Sequence, residues 1–213
     1  MPPPELWIVA GPNGAGKTTL VQSAPLDALL PHVAFRNPDD VALQFLRRAG
    51  FHGFRDAPEP ALNEAFRAAA DEVMADLVAR LEAGEAVGVE TVLGSGKYRP
   101  VVEAVLQRGG FVGLIYVCLN SPETACTRVE RRAARGGHSV PHEKIVARWY
   151  RSLENLAWFL LRVTRFWIYD NSDSDPRSAP RLLVLGGGGS SDFLAPEIPA
   201  WLASALPPLR QEQ

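Results

Sequence analysis

The tightest constraint in this chain is nine residues long. "GPNGAGKTT", positions 11–19, fills every fixed position of G-x-x-x-x-G-K-[ST]. It follows "ELWIVAG" (5–11), an apolar run that predicts a short buried strand, and precedes a stretch that predicts a helix. The glycines let the backbone turn its N–H groups inward around phosphate oxygens. A helix that starts at the lysine adds the positive end of its dipole. The pattern predicts a cradle for ATP built from Gly11, Pro12, Asn13, Gly14, Ala15, Gly16, Lys17, Thr18 and Thr19. In it Lys17 reaches the β- and γ-phosphates and Thr18 ligates Mg²⁺.

The rest of the chain alternates in the same style. "HVAFRN" (32–37), "AVGVETVL" (86–93), "FVGLIYVCLN" (111–120), "RFWIYDNS" (165–172) and "RLLVLGG" (181–187) predict five further strands. Helices are predicted over 39–50, 59–84 and 98–110. In the second of these Leu62, Phe66, Ala69, Val73, Leu77 and Leu81 fall three or four apart. Ser121 caps another helix, with Pro122 at its first position. A second long helix runs from about 141 to 163, and its stripe of Trp149, Leu153, Leu156, Leu160 and Val163 reads as core. A terminal helix is expected over 195–206, and "GGGGSS" (186–191) reads as a flexible loop. The alternation predicts a three-layer α/β fold: a mostly parallel sheet of order 2-3-1-4-5 with helices on both faces. The 213 residues fit a single domain, 1–213, with a helical lid around 121–163.

Composition removes several function classes. A formal net charge of -2 argues against a nucleic-acid binder. Cys118 and Cys126 lack metal-ligand spacing and read as buried thiols in a reducing compartment. "MPPPELW" has no signal-peptide character, and no run of about 18 apolar residues exists, so a cytoplasmic protein with no membrane span is expected. There is no LSGGQ of an ABC-type ATPase and no NKxD of a GTPase. The weight therefore moves to a phosphotransferase, which needs a base at the acceptor, a second carboxylate and cations over the transferring group.

Each part has candidates. "FRNPDD" (35–40) ends the second strand, so Asp39 or Asp40 could face an acceptor hydroxyl; an N-cap at Asn37-Pro38-Asp39 explains the same residues equally well. Glu90 ends the third strand and could hold Mg²⁺ or an acceptor hydroxyl, and Asp170 competes for the metal. Arg128, Arg131, Arg132 and Arg135 lie at helical spacing before Gly136-Gly137, and Lys144, Arg148 and Arg151 follow. Two basic faces joined by a glycine hinge predict a mobile lid. His138, in the hinge, could touch substrate or pack the loop.

These pieces, in order, resemble the zeta-toxin-like P-loop kinases, and more narrowly the branch labelled predicted ABC-type ATPase. The residues carrying the resemblance are "GPNGAGKTT", "NPD", "VET", the "GGHSVP" hinge with the following "RSLENL", and "YDNS". Members of that family are toxins of toxin–antitoxin pairs or related kinases. The resemblance implies an ATP/Mg²⁺-dependent kinase acting on a sugar hydroxyl of a nucleotide sugar, UDP-N-acetylglucosamine, with an antitoxin as partner. It implies Asp39 as the base, Glu90 near the acceptor or the metal, and lid arginines near Arg131, Arg135 and Arg148 on phosphate; Thr91, beside Glu90, and the hinge residue His138 are the further acceptor candidates. Where the family carries a threonine two positions after the glutamate, this chain has Val92. Rival readings are a kinase for a nucleotide or antibiotic, or a nucleotide-dependent binding module.

Overall fold

β1 (Glu5–Ala10) is flanked on both sides by parallel neighbours, so Val9 lies level with Glu90 on one strand and Ile115 on the other. The computed structural model describes residues 2–175, 178–193, 195, 197–207 and 210–211. After β1 come the glycine-rich loop, α1 (Lys17–Val21), α2 (Ala24–Leu29) and β2 (Ala34–Arg36). α3 (Pro38–Arg48) and α4 (Glu59–Glu82) lead to β3 (Ala86–Thr91), and α5 (Arg99–Gln107) leads to β4 (Phe111–Cys118). α6 (Pro122–Ala134) and α7 (His142–Leu160) return the chain to β5 (Arg165–Asp170). β6 (Arg181–Gly187), β7 (Ser190–Phe193), α8 (Ala200–Ala203) and β8 (Arg210–Gln211) complete the described elements.

The sheet order is β2-β3-β1-β4-β5-β6-β7-β8. Its first five strands are parallel and follow the predicted 2-3-1-4-5. β6 and β7 extend the sheet antiparallel, and β8 pairs parallel with β7. The central runs are apolar throughout because both faces are covered: Leu6, Ile8, Val89, Leu114 and Val117 are all fully buried. The predicted α7 stripe of Trp149, Leu153, Leu156 and Leu160 is core, with Val163 just beyond it. Both cysteines are free and buried. Among the described residues no helix is long and apolar enough to cross a membrane.

Three expectations change. "GGGGSS" is a hairpin, not a flexible loop: Gly187 pairs with Ser190 across Gly188 and Gly189, whose φ angles are 58° and 82°. Two successive positive-φ residues make the tight turn that matches strand twist. The helix after Lys17 breaks at Gln22–Ser23 into two short pieces. The terminal helix spans Ala200–Ala203 rather than 195–206, residue 196 lying outside the described residues.

The parallel strands decide where a site forms. β1 runs into the glycine loop, β2 into Asn37 and β3 into Glu90, so three sequence candidates meet at one edge of the sheet.

Candidate active site

Gly11 leaves β1 with φ 142°, and a Cβ there would lie 2.0 Å from the Val117 carbonyl oxygen. Only glycine lets the loop press this close to β4. The segment after β5 braces the loop from the other side. Asn171 Nδ2 donates to the Ala15 carbonyl at 2.8 Å, and Arg128 donates to the Asp173 carbonyl at 2.6 Å. Lys17 Nζ donates to the carbonyls of Gly11 and Pro12, at 2.8 and 3.0 Å. Burial lowers its pKa to about 8, against the attraction of Glu90 and Asp39 and with the repulsion of Arg132 and Arg148.

Thr18 Oγ1 donates to Glu90 Oε2 at 2.8 Å. Glu90 is only 5% exposed, and burial raises its pKa while Thr18 and Lys17 oppose the rise. Asn37 joins this pair to the start of α3. Its Oδ1 accepts the Asp39 N–H at 2.9 Å and so caps α3, and its Nδ2 stands 3.5 Å from Thr18 Oγ1. Of the two explanations of "NPDD", the cap is the one seen directly. Asn37 performs the cap, and Asp39 lines the cavity described next, while Asp40 does not. Asp170 accepts from the backbone N–H and hydroxyl of Ser172 and lies 3.7 Å from Arg181. It closes the turn after β5 and does not line the cavity.

The cavity has a volume of about 710 Å³ and lies between the glycine loop, the start of α3, α4, the β3–α5 loop and the helices α6 and α7. Of the residues assigned from sequence to the ATP and acceptor sites, Asn13, Gly14, Lys17, Thr18, Asp39, Glu90, Thr91, His138 and Arg148 line it, as does Val92. Gly11, Pro12, Ala15, Gly16 and Thr19 form the loop without lining the cavity, and Arg131 and Arg135 do not line it either. The α6 cation that does is Arg132, joined by Lys144 and Arg151 from α7. The reason is helical phase. α6 buries Ala125, Cys126 and Val129, and Arg132 continues the 126–129 spacing inward. That spacing was the available signal for Arg132. His138 lines the cavity, and its ring packs 4.5 Å from Phe66 and 5.1 Å from Phe54, as its loop-packing reading expects. Burial lowers its pKa, with Asp39 opposing and Arg132 and Arg148 assisting.

Asp39 is the common neighbour of these groups. It raises the pKa of Lys17, His138 and Arg148, so its charge faces all three. Among the described residues no group of three or more His, Cys, Asp and Glu could hold a metal by itself. The Thr18 hydroxyl and the Glu90 carboxylate are hard oxygen donors. This sparse set fits Mg²⁺, which keeps several waters and takes phosphate oxygens instead of a full protein cage.

No sequence-family profile matches the chain, and no curated protein matches it. Solved structures do. A chain of the PezAT chromosomal toxin–antitoxin system of Streptococcus pneumoniae superposes with a TM-score of 0.58 at 18% identity, over 79% of this chain and 69% of that one. The fold is that of the P-loop kinases. The complex AvrRxo1-ORF1:-ORF2 with ATP gives a TM-score of 0.66 at 15% identity, covering 91% of this chain and 61% of the other. A candidate kinase from Chloroflexus aurantiacus gives 0.52 at 19% identity, over 64% and 70%. At these identities the likeness is one of fold, and the chain spans about three-fifths of the AvrRxo1 chain it matches. The resemblance to zeta-toxin-like P-loop kinases thus holds at the level of architecture.

Proposed function

We propose that this chain is a kinase that moves the γ-phosphoryl group of Mg-ATP to a hydroxyl of a small molecule, a UDP-amino sugar such as UDP-N-acetylglucosamine. One observation carries the reading. Lys17, Asp39, Glu90, Arg132 and Arg148 come from five separate segments and line one cavity. In the proposed reaction the Asp39 carboxylate accepts the hydroxyl proton. The acceptor oxygen forms its bond to the γ-phosphorus as the bond to the ADP oxygen breaks. Lys17, Arg132 and Arg148 neutralise the charge that spreads onto the transferring oxygens. Thr18 and Glu90 would hold Mg²⁺, which offsets charge on the phosphates. Closure of α6 and α7 over the cavity excludes water, which would otherwise compete as acceptor.

The cavity supports an acceptor of nucleotide-sugar size, since about 710 Å³ lies within the range of small-molecule sites. Its lining includes apolar Leu62 and Phe66 from α4 and the cations Lys144 and Arg151 from α7, suiting a ligand with a flat apolar part and an anionic part. The proposal includes an antitoxin-type protein partner and a cytoplasmic setting. PezAT is by its description a toxin–antitoxin system, and AvrRxo1-ORF1 is paired with AvrRxo1-ORF2. The test is mass spectrometry of the purified protein with Mg-ATP and a panel of UDP-sugars, beside Asp39→Ala. A sugar heavier by about 80 mass units, one phosphoryl group, is expected with the wild type and not the variant. ATP consumption with no modified sugar would remove the UDP-amino sugar from the proposal.

A further inference from the structure

Phe54 and Arg55 lie between α3 and α4, and neither lines the cavity. Both reach the lid, one on each side of its hinge. The Arg55 guanidinium donates to the carbonyl of Ala133, at the end of α6. The Phe54 ring lies 5.1 Å from that of His138, beyond the glycine pair, and stacks on Phe66 of α4 at 5.6 Å and 4°. The loop that carries them is itself braced. The Asp56 carboxylate accepts the N–H groups of His52 and Gly53 at 2.7 and 2.8 Å, and the Phe51 N–H donates to Leu46 at the end of α3.

The hinge in turn holds a cavity cation. The His138 carbonyl accepts from Arg132 Nη2 at 3.3 Å. Gly137 leaves room for the same side chain, since a Cβ there would meet Arg132 Cγ at 2.7 Å. A continuous path of contacts therefore runs from Phe54 through the His138 ring and main chain to the Arg132 guanidinium. Without an anchor, two consecutive glycines at 136 and 137 leave this hinge many conformations. Arg132 would then be ordered only at the expense of binding energy.

We propose that the 51–58 loop anchors the lid hinge, with Phe54 as a positioning residue that holds Arg132 over the phosphate cradle before substrate arrives. The anchor rests on these contacts alone. Its effect on rate rests on the kinase reading above. The anchor also joins the two halves of the site mechanically, because Phe66 lines the cavity from α4 and packs against the same hinge histidine.

The test uses the full chain as wild type, Phe54→Ala, Phe54→Leu, Arg132→Ala and the double variant Phe54→Ala/Arg132→Ala. Two quantities are read: hydrogen exchange of the amides of 132–141, and kcat and KM for ATP with the acceptor found above. Phe54→Ala is expected to speed exchange in the hinge while the core strands β1 and β4 stay protected. It should lower kcat by roughly 10–100-fold with little change in KM, the size expected for a misplaced catalytic group. Phe54→Leu keeps the apolar volume and should fall between the two, so that a poorly folding alanine variant does not decide the matter. In the Arg132→Ala background the Phe54 substitution should cost nothing further in kcat. Unchanged hinge exchange, or losses that simply multiply in the double variant, would overturn the anchor. Should the wild type transfer phosphoryl to no acceptor while Phe54→Ala still frees the hinge, the anchor stands and the kinase reading falls.

Discussion

Thr18 and Glu90 are separated by 72 positions in sequence and by 2.8 Å between Oγ1 and Oε2. The hydroxyl donates to the carboxylate, so the oxygen lone pairs of Thr18 are left for a cation and for Asn37. Glu90→Gln keeps an acceptor for Thr18 and removes the charge. It should raise the Mg²⁺ needed for half-maximal transfer by roughly 10–100-fold, as second contacts around metals do. Burial raises the Glu90 pKa, so its ionised form is disfavoured by folding and costs stability above the ordinary carboxylate range. The variant should thus unfold at the same or a higher temperature than the wild type at neutral pH. A drop in unfolding temperature would show that Glu90 is structural.

Asp39 contributes its backbone N–H to the α3 cap and its side chain to the cavity. These roles separate by mutation. Asp39→Ala should lose roughly 10²–10⁴-fold in transfer, the worth of a general base, while binding ATP and unfolding like the wild type. Single-turnover transfer and ATP titration check the two halves. Wild-type turnover in this variant would remove Asp39 as the base.

The arginines divide by helical phase. Arg132→Ala and Arg148→Ala should each reduce kcat by about 10³-fold or more, because both line the cavity and act on Lys17. Arg131→Ala and Arg135→Ala lie off the cavity and should stay within about threefold of wild type. A reversed ranking, measured as kcat at saturating ATP, would overturn the assignment of Arg132 to the site.

Lys17 provides a proton-linkage test. Burial holds its pKa at about 8, below the ordinary 10.5. Bound phosphates add negative charge and favour the ammonium form, so the pKa rises on nucleotide binding. Well below pH 8 the lysine is already protonated, and binding takes up no proton. Above pH 8 the free protein has lost that proton and must regain it, so ATP affinity falls as pH rises, by up to about tenfold per unit. Calorimetry in two buffers of different ionisation enthalpy should find uptake approaching one proton at about pH 9. Uptake near zero at that pH would place the free Lys17 pKa much higher.

Asn37 tests the link between cap and site. Asn37→Ala should destabilise the fold by about 1 kcal/mol in urea unfolding, through loss of the α3 cap. Asn37→Ser restores a cap but is too short to reach Thr18, 3.5 Å from the native amide. Both variants lose the Thr18 contact and should need more Mg²⁺ than the wild type, whereas stability should return in the serine variant. Full recovery of both would reduce Asn37 to a helix cap.

Much of this was legible in one dimension because it depends on neighbours in sequence. The cradle from Gly11 to Thr18 announces itself through glycines and a lysine at fixed offsets. Ser121-Pro122 and Asn37-Pro38 mark helix starts by local capping, and both are caps in the structure: Ser121 accepts from Thr124 and Asn37 from Asp39. The apolar run 111–120 could only be a covered strand. The GGGGSS stretch misled for the opposite reason. Glycine composition is common to flexible linkers and to positive-φ hairpin turns, and pairing with β5 and β7 decides between them.

By itself, then, the sequence determined the order of the five parallel strands and of the long helices between them, the glycine-rich loop and the candidate acids, since backbone preference and hydrophobic period act over a few residues. Only the tertiary structure decided which candidates meet. The register that sets Val9 beside Glu90 brings that carboxylate to Thr18. The packing of Ala125, Cys126 and Val129 turns Arg132 inward and leaves Arg131 and Arg135 off the cavity. The aromatic contact of Phe54 with His138 ties the hinge to a loop about 80 residues earlier in the chain. Each of these depends on surfaces that come together only when distant segments fold against one sheet, and no local pattern encodes their rotation or register.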